Sequence, residues 1–198
     1  IVEHEQLSEV TATVKEHRWS RIAAGGRPHD TAFSRNGDDK RIALATRTRD
    51  GCVVEAGIED LLILKTKHSG FEGYLHDRFT TLRETDDRLL AAVLNARWRY
   101  GWGELPYGLH WQQVRQVILD TFAEHDSRSL QHTLYAMAQA GLEQCPPIVE
   151  IHFSLHHRQH LLADLTPFGL ANENAVFVPS LEPFGIVEAT VRREELPG

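Results

Sequence analysis

The sequence predicts an α+β protein in which an antiparallel four-stranded sheet carries two helices on one of its faces. Three observations lead there. Strand-like segments, rich in β-branched residues, lie before residue 100 and again after residue 147. Between them the hydrophobic period changes. Trp111, Val114, Ile118 and Phe122 recur at helical spacing, and so do Leu130, Leu134, Met137, Ala138 and Gly141. From residue 55 the order is therefore strand, strand, helix, helix, strand, strand, and one sheet face buries the apolar stripes of both helices.

Taken in order, Val10 to Ile22 reads as a strand, with a loop at Gly25-Gly26 and Arg27-Pro28. Lys40 to Glu55 reads as a strand pair turned at Asp50-Gly51, where Ile42, Leu44 and Thr46 alternate with Ala43, Ala45 and Arg47. The apolar run from Ile58 to Thr66 is a buried-strand candidate. Leu89 to Tyr100 is another, although its alanines are poor strand formers. The link between the helices, His125-Asp126-Ser127-Arg128-Ser129, offers Asp and Ser as N-caps, and Cys145-Pro146-Pro147 ends the second helix. Strands from Ile148 to Leu165 and from Ala175 to Arg193 follow, the last interrupted by Pro179 and Pro183.

The composition, 41% hydrophobic and 25% charged over 198 residues, is that of an ordinary soluble globular chain. A net charge of −7 speaks against a general nucleic-acid binder, which needs a basic surface, but not against a small anion met by one buried arginine. Cys52 and Cys145 form neither a disulfide framework nor a CxxC metal site, so a reducing cytoplasm is the expectation. No run of about 18 apolar residues suggests a membrane span. Ile1 to Glu5 does not read as a signal peptide and contains no initiator Met, so the chain is expected to begin inside a longer product.

The richest stretch runs from Ser69 to Leu82, through Glu84-Thr85-Asp86-Asp87-Arg88, and on to Ala96-Arg97-Trp98-Arg99-Tyr100. It sets an aromatic ring, an arginine and several hydroxyls together without a long apolar period, which suits a flat, polar, anionic small molecule. This stretch resembles the urate oxidase (uricase) family, and the resemblance extends over roughly residues 29–193. It implies the tunnelling fold (T-fold), of which the family carries two tandem copies. Residues 55–198 would then be a complete second copy. Residues 1–54 would be the last strands of an incomplete first one. The implied reaction is oxidation of urate by dioxygen to 5-hydroxyisourate and hydrogen peroxide, with no cofactor or metal. The implied assembly is a homotetramer with active sites between subunits. The absence of a C-terminal Ser-Lys-Leu points to a cytoplasmic enzyme of bacterial type.

Urate needs a ring to stack on, a cationic fork for one edge and an amide for the other. Phe71 offers the ring, Arg88 a bidentate guanidinium and Gln131 the amide, and all three match urate-binding positions of the family. Leu130 stands where the family uses a backbone N–H, and with Gln131 it opens the second helix, whose free amides favour an anion. Taken singly, each has a plainer reading: Phe71 as core filler, Arg88 as the surface partner of Asp86 or Asp87, and Gln131 as a solvated helix residue.

Two departures qualify the resemblance. The family reads Ser-Leu-Pro-Asn-Lys-His where this chain reads Ser154-Leu155-His156-His157-Arg158-Gln159. The asparagine that holds dioxygen falls on His157, and the histidine of the proton relay falls on Gln159, which has no acid–base function near neutral pH. His160 is adjacent, but strand alternation turns it to the opposite face unless a register irregularity brings it back. The second departure is that no residue matches the family's Lys–Thr base, and neither Lys15 nor Lys65 takes that role. His152, His156 and His160 share a strand face but stand ~13 Å apart per four residues, too far for one metal ion. The departures leave two alternatives open: a catalytically impaired purine-binding homologue, or an oxidase of another purine or pterin.

Overall fold

The computed structural model describes residues 6–195 except 36, 82, 83, 102 and 104, and for 181–184 and 195 the backbone alone. The N-terminal stretch Ile1–Glu5 and Leu82 of the motif lie outside the described residues. Among the described residues eight strands and two α-helices form in the order β1 (Glu9–His17), β2 (Ser20–Ala24), β3 (Arg27–Ser34), β4 (Lys40–Thr48), β5 (Cys52–Lys65), β6 (Leu90–Tyr100), α1 (Tyr107–Glu124), α2 (Leu130–Gln144), β7 (Ile148–Leu162) and β8 (Phe177–Arg192). Strands β1-β4-β5-β6-β7-β8 make one antiparallel sheet, and β2 with β3 makes a separate hairpin. The predicted α+β architecture is present: β5 to β8 carry α1 and α2 on one face, and β4 and β1 extend the same sheet.

Local chemistry explains where the elements begin and end. The expected strand over Val10–Ile22 divides after His17, and Ser20–Ala24 turns into the hairpin with β3. Ala24 pairs with Arg27 across Gly25 and Gly26, whose φ values of 60° and 77° give the two left-handed residues that a type I′ hairpin requires. The β4–β5 hairpin turns one residue earlier than Asp50-Gly51 suggests. Thr48 N–H donates to the Gly51 carbonyl at 2.9 Å, leaving Arg49 and Asp50 at the tip. The two strands expected on either side of residue 55 are one continuous strand, β5, with an irregularity between Ile58 and Leu61. There Asp60 takes φ 59° and its N–H is held by Asn95 Oδ1 at 2.9 Å.

The core lies between the helices and the sheet. Trp111, Val114, Ile118 and Phe122 of α1 and Leu130, Leu134, Met137 and Ala138 of α2 meet Ile58, Leu94, Trp98, Ile151, Phe153 and Leu155. The alanines of β6 suit a central strand: Ala91, Ala92 and Ala96 are all buried, and the small side chains of Ala92 and Ala96, on the helix face, let α1 and α2 approach the sheet. Pro179 and Pro183 do not end β8. It is the edge strand, so a missing N–H is tolerated; Pro183 lies where its register with β7 slips, and Pro179 pairs with His160. No helix among the described residues is long and apolar enough to cross a membrane.

Candidate functional site

Three segments meet at the pocket. The first is the long link between β5 and β6, which carries Phe71 and Arg88. It is not free to wander. Phe71 N–H donates to the Thr85 carbonyl at 2.7 Å, and Thr85 N–H returns to the Phe71 carbonyl at 3.2 Å. Gly70 N–H donates to the Ser127 carbonyl at 2.7 Å, and Ser127 N–H donates to the His68 carbonyl at 2.9 Å. The link is therefore tied to the turn that precedes α2. Gly70 fits closely there: a Cβ would stand 3.1 Å from the Asp86 carbonyl and 3.2 Å from that of Thr85, so the backbone would have to give by a few tenths of an ångström.

The second segment is the start of α2. Ser129 is its N-cap, and its Oγ accepts the His132 N–H at 3.1 Å. Leu130 and Gln131 are the first two helical residues, and their amides have no acceptor within the helix. The third segment is the far end of β7. Its last pair with β6 is Arg158 with Ala91, and its register with β8 slips between His157 and Gln159, where one residue of β7 faces four of β8, 181–184.

These segments enclose a cavity of about 350 Å³ in which Phe71, Arg88, Leu130, Gln131, His157 and Gln159 all line the wall. That size falls within the range of small-molecule sites. All six candidate residues, distant in sequence, thus share one hollow. Thr85, Leu89, His160 and Leu161 complete it. Thr85 and Leu89 were not among the candidates, and only their nearness to Arg88 could have suggested them. His160 corrects the expectation from strand alternation. It borders this cavity and also a second one on the opposite face of the sheet, at a point where β7 has outrun β6 and lies just beyond its register slip with β8.

The electrostatics are those of an anion site with its charge uncommitted. Arg88 is partly buried, and among the described residues it forms no ion pair with Asp86, Asp87 or any other carboxylate. Asp87 instead accepts the Ser69 N–H at 3.2 Å. The Arg88 guanidinium lies 5.0 Å from the centre of the Phe71 ring, and that ring stacks on Tyr74 at 4.6 Å and 19°. Arg88 Nε is buried without a hydrogen-bond partner, and so is His157 Nε2. Burial above all, then the charges of Arg88 and His160, holds the His157 pKa down to about 4, so its ring is neutral at pH 7. An unpaired guanidinium whose own Nε is orphaned, beside the orphaned His157 Nε2, calls for a ligand that is anionic and can hydrogen-bond at several points.

Other hollows do not offer this. One of about 460 Å³ includes Arg99, Arg192 and Arg193. There Arg192 donates to Glu150 at 2.7 Å and Arg193 is spent on carbonyls at the end of α2, among them Leu142 at 2.6 Å. Lys65, set aside as a base, is buried at 9% exposure and donates to the carbonyls of Phe122, at 3.2 Å, and His125 at the end of α1. His152 is engaged with Thr190 at 2.8 Å. Among the described residues no three His, Cys, Asp or Glu side chains are grouped to hold a metal ion.

Comparison with known proteins bears on the whole arrangement. The sequence model of the Uricase family matches residues 54–188. The uricase of Arthrobacter globiformis is 43% identical over 176 residues, covering 89% of this chain and 57% of its own length. That of Dictyostelium discoideum is 33% identical over 188 residues, covering 94% and 66%. The crystal structure of the Arthrobacter globiformis uricase superposes with a TM-score of 0.89 at 40% identity, over 96% of this chain and 65% of that one. The chain thus spans about three fifths to two thirds of the length of these relatives.

Proposed function

The chain belongs to the uricase family, and on that premise we propose that it binds urate in the cavity between Phe71, Arg88 and the start of α2 and takes part in its oxidation. Urate loses two electrons and gains a hydroxyl group from water to become 5-hydroxyisourate, while dioxygen takes up two electrons and two protons to become hydrogen peroxide. The observation that carries this reading is the convergence of Phe71, Arg88, Leu130, Gln131, His157 and Gln159 on one hollow of about 350 Å³.

Each residue then has a task set by its chemistry. Phe71 offers a ring face to the planar purine. Arg88 meets one anionic edge with two parallel N–H bonds, a geometry that lysine lacks. The Gln131 amide, which makes no hydrogen bond within the protein among the described residues, is free to read the other edge as donor and acceptor. The Leu130 amide at the helix start adds a donor at a positive dipole end. His157, neutral at pH 7, and Gln159 stand beside the substrate where dioxygen or water would be held. The family's base lies in sequence that no residue here matches. The proposal therefore includes a homotetramer whose neighbouring subunits complete each site, working in the cytoplasm, where the free Cys52 and Cys145 stay reduced.

A second reading has a specific observation behind it. Histidine and glutamine at positions 157 and 159 replace an asparagine and a histidine, which favours a protein that binds a purine without turning it over, or one that oxidises a related ring. Incubating the complete gene product with urate in air, and following urate absorbance together with peroxide, separates these readings. Matched loss of urate and gain of peroxide is expected. Binding without decay would make this a purine-binding homologue.

A further inference from the structure

We propose, resting on the reading of this cavity as a urate site, that Tyr74 is a positioning residue for the purine: stacked behind Phe71, and held in turn by His76 and Glu84, it sets the plane of the phenyl ring on which the substrate lies. Phe71 stands on the link between β5 and β6, outside both strands. Its paired bonds with Thr85 fix its main chain. They leave the two side-chain torsions of the ring free. A ring that turns in the empty site must be ordered when the ligand arrives, and that ordering weakens binding.

The rings behind Phe71 remove this freedom. The Phe71 and Tyr74 centroids lie 4.6 Å apart with 19° between the planes, and Tyr74 lies 4.4 Å from His76 at 25°. Phe71 and Arg88 line the cavity, whereas Tyr74 and His76 do not. The stack therefore backs the face of Phe71 that is turned away from the ligand. A purine laid on the open face becomes the fourth ring of one column, at separations where aromatic rings attract.

The column is tied at both ends. Phe71 is bonded to Thr85 at the inner end. At the outer end His76 Nε2 lies 3.1 Å from Glu84 Oε1, and the same oxygen accepts the Gly73 N–H at 2.9 Å. A carboxylate only accepts, so His76 Nε2 carries the hydrogen. The bond from His76, then that from Gly73, holds the Glu84 carboxyl below its usual range, so this tie stands at neutral pH. Glu84 and Thr85 are neighbours, and both ties thus reach the returning arm of the link. Gly73 lets the chain fold back: its φ of 70° is left-handed, and it brings residues 71, 74 and 76 into one pile. That spacing follows neither the helical nor the strand period. Tyr74 is half-buried and His76 exposed, so the core does not rest on either.

Titration of the complete gene product with urate in the absence of oxygen tests this. Tyr74→Ala should raise the Kd for urate about 5-fold, the worth of one good aromatic contact. His76→Ala should raise it by less, about 2-fold. Tyr74→Phe keeps the ring and should bind as wild type does. In air KM should follow Kd, while kcat stays within about 3-fold of wild type, because Tyr74 touches no reacting atom. A double-mutant cycle identifies the route: in a Phe71→Ala background, Tyr74→Ala should cost no further affinity, since its effect passes through the phenyl ring. Urea midpoints of these variants should match wild type. Unchanged affinity in Tyr74→Ala or no rescue by Tyr74→Phe would overturn the proposal. So would a full further loss in the Phe71→Ala background, which would mean that the whole link, Arg88 included, had loosened. Failure of wild type to bind urate at all would instead overturn the functional reading beneath it, and that titration comes first.

Discussion

At the residue scale the site turns on two side chains, Arg88 and His157, each with a buried nitrogen that the fold leaves without a hydrogen-bond partner. Arg88 is followed by the β6 strand and preceded by two aspartates, so a surface ion pair is the natural reading of its neighbourhood. The structure turns it inward over Phe71 and gives Asp87 to the Ser69 amide. Replacing Arg88 with Ala should weaken urate binding by about 1.5–3 kcal/mol, the value of hydrogen bonds to a charged group, and Arg88→Lys should recover only part of it. Isothermal titration checks this, and unchanged affinity would sink the assignment.

His157 makes a separate prediction for stability. Its folded pKa, about 4, lies below the ordinary value of 6.5, so between these pH values the unfolded chain binds the proton more readily. The neutral ring's contribution is whole above pH 6.5 and is lost as pH falls from there through about 4. From the size of the shift it is at most roughly 3 kcal/mol. Urea unfolding at pH 7 and pH 4.5 should show a steeper loss for wild type than for His157→Asn.

At the element scale the helices depend on close approach to the sheet. Gly57 of β5 is the tightest point: a Cβ there would stand 2.2 Å from the Ala96 carbonyl and 2.9 Å from the Ile42 side chain, and the Gly57 carbonyl accepts the Trp111 indole N–H at 2.8 Å. Gly57→Ala must push β5 and β6 apart or break the anchor of α1. It should cost at least about 1–3 kcal/mol, read as a lower urea midpoint with an unchanged slope. The periodicity of Trp111 to Phe122 and of Leu130 to Gly141 made both helices legible in the sequence, because a buried stripe must recur every 3.6 residues. Strand junctions were less legible. The continuity of β5 across residue 55 and the division after His17 follow from which strand pairs with which, and a one-dimensional pattern carries no pairing information.

At the scale of the whole molecule one chain of contacts holds the pocket walls in place. Lys65 at the end of β5 donates to the closing carbonyls of α1, and the turn beyond α1 bonds through Ser127 to His68 and Gly70, which lead to Phe71. A buried ammonium at a helix C-terminus is favoured by the dipole there, though burial lowers its pKa. Lys65→Met should leave those carbonyls unsatisfied at a cost of about 1–3 kcal/mol. For a chain of this size each kcal/mol lowers Tm by about 2–4 °C, which calorimetry resolves. Urate affinity should fall as well, because the link carrying Phe71 and Arg88 loses its anchor.

The amino-acid sequence by itself determined the α+β class and the helical spans, offered Asp and Ser in the link as caps, and through the family resemblance nominated the six residues proposed for the site. Each rests on a local property, whether hydrophobic period, capping chemistry or a motif with its residue types intact. Only the tertiary structure decided that Arg88 is unpaired, that His157 is neutral, and that His160 borders two cavities. These are properties of burial and register, set where β7 outruns β6 and slips against β8. Alternation along one strand predicts a side chain's face only while neighbours on both sides hold that strand in its pleat.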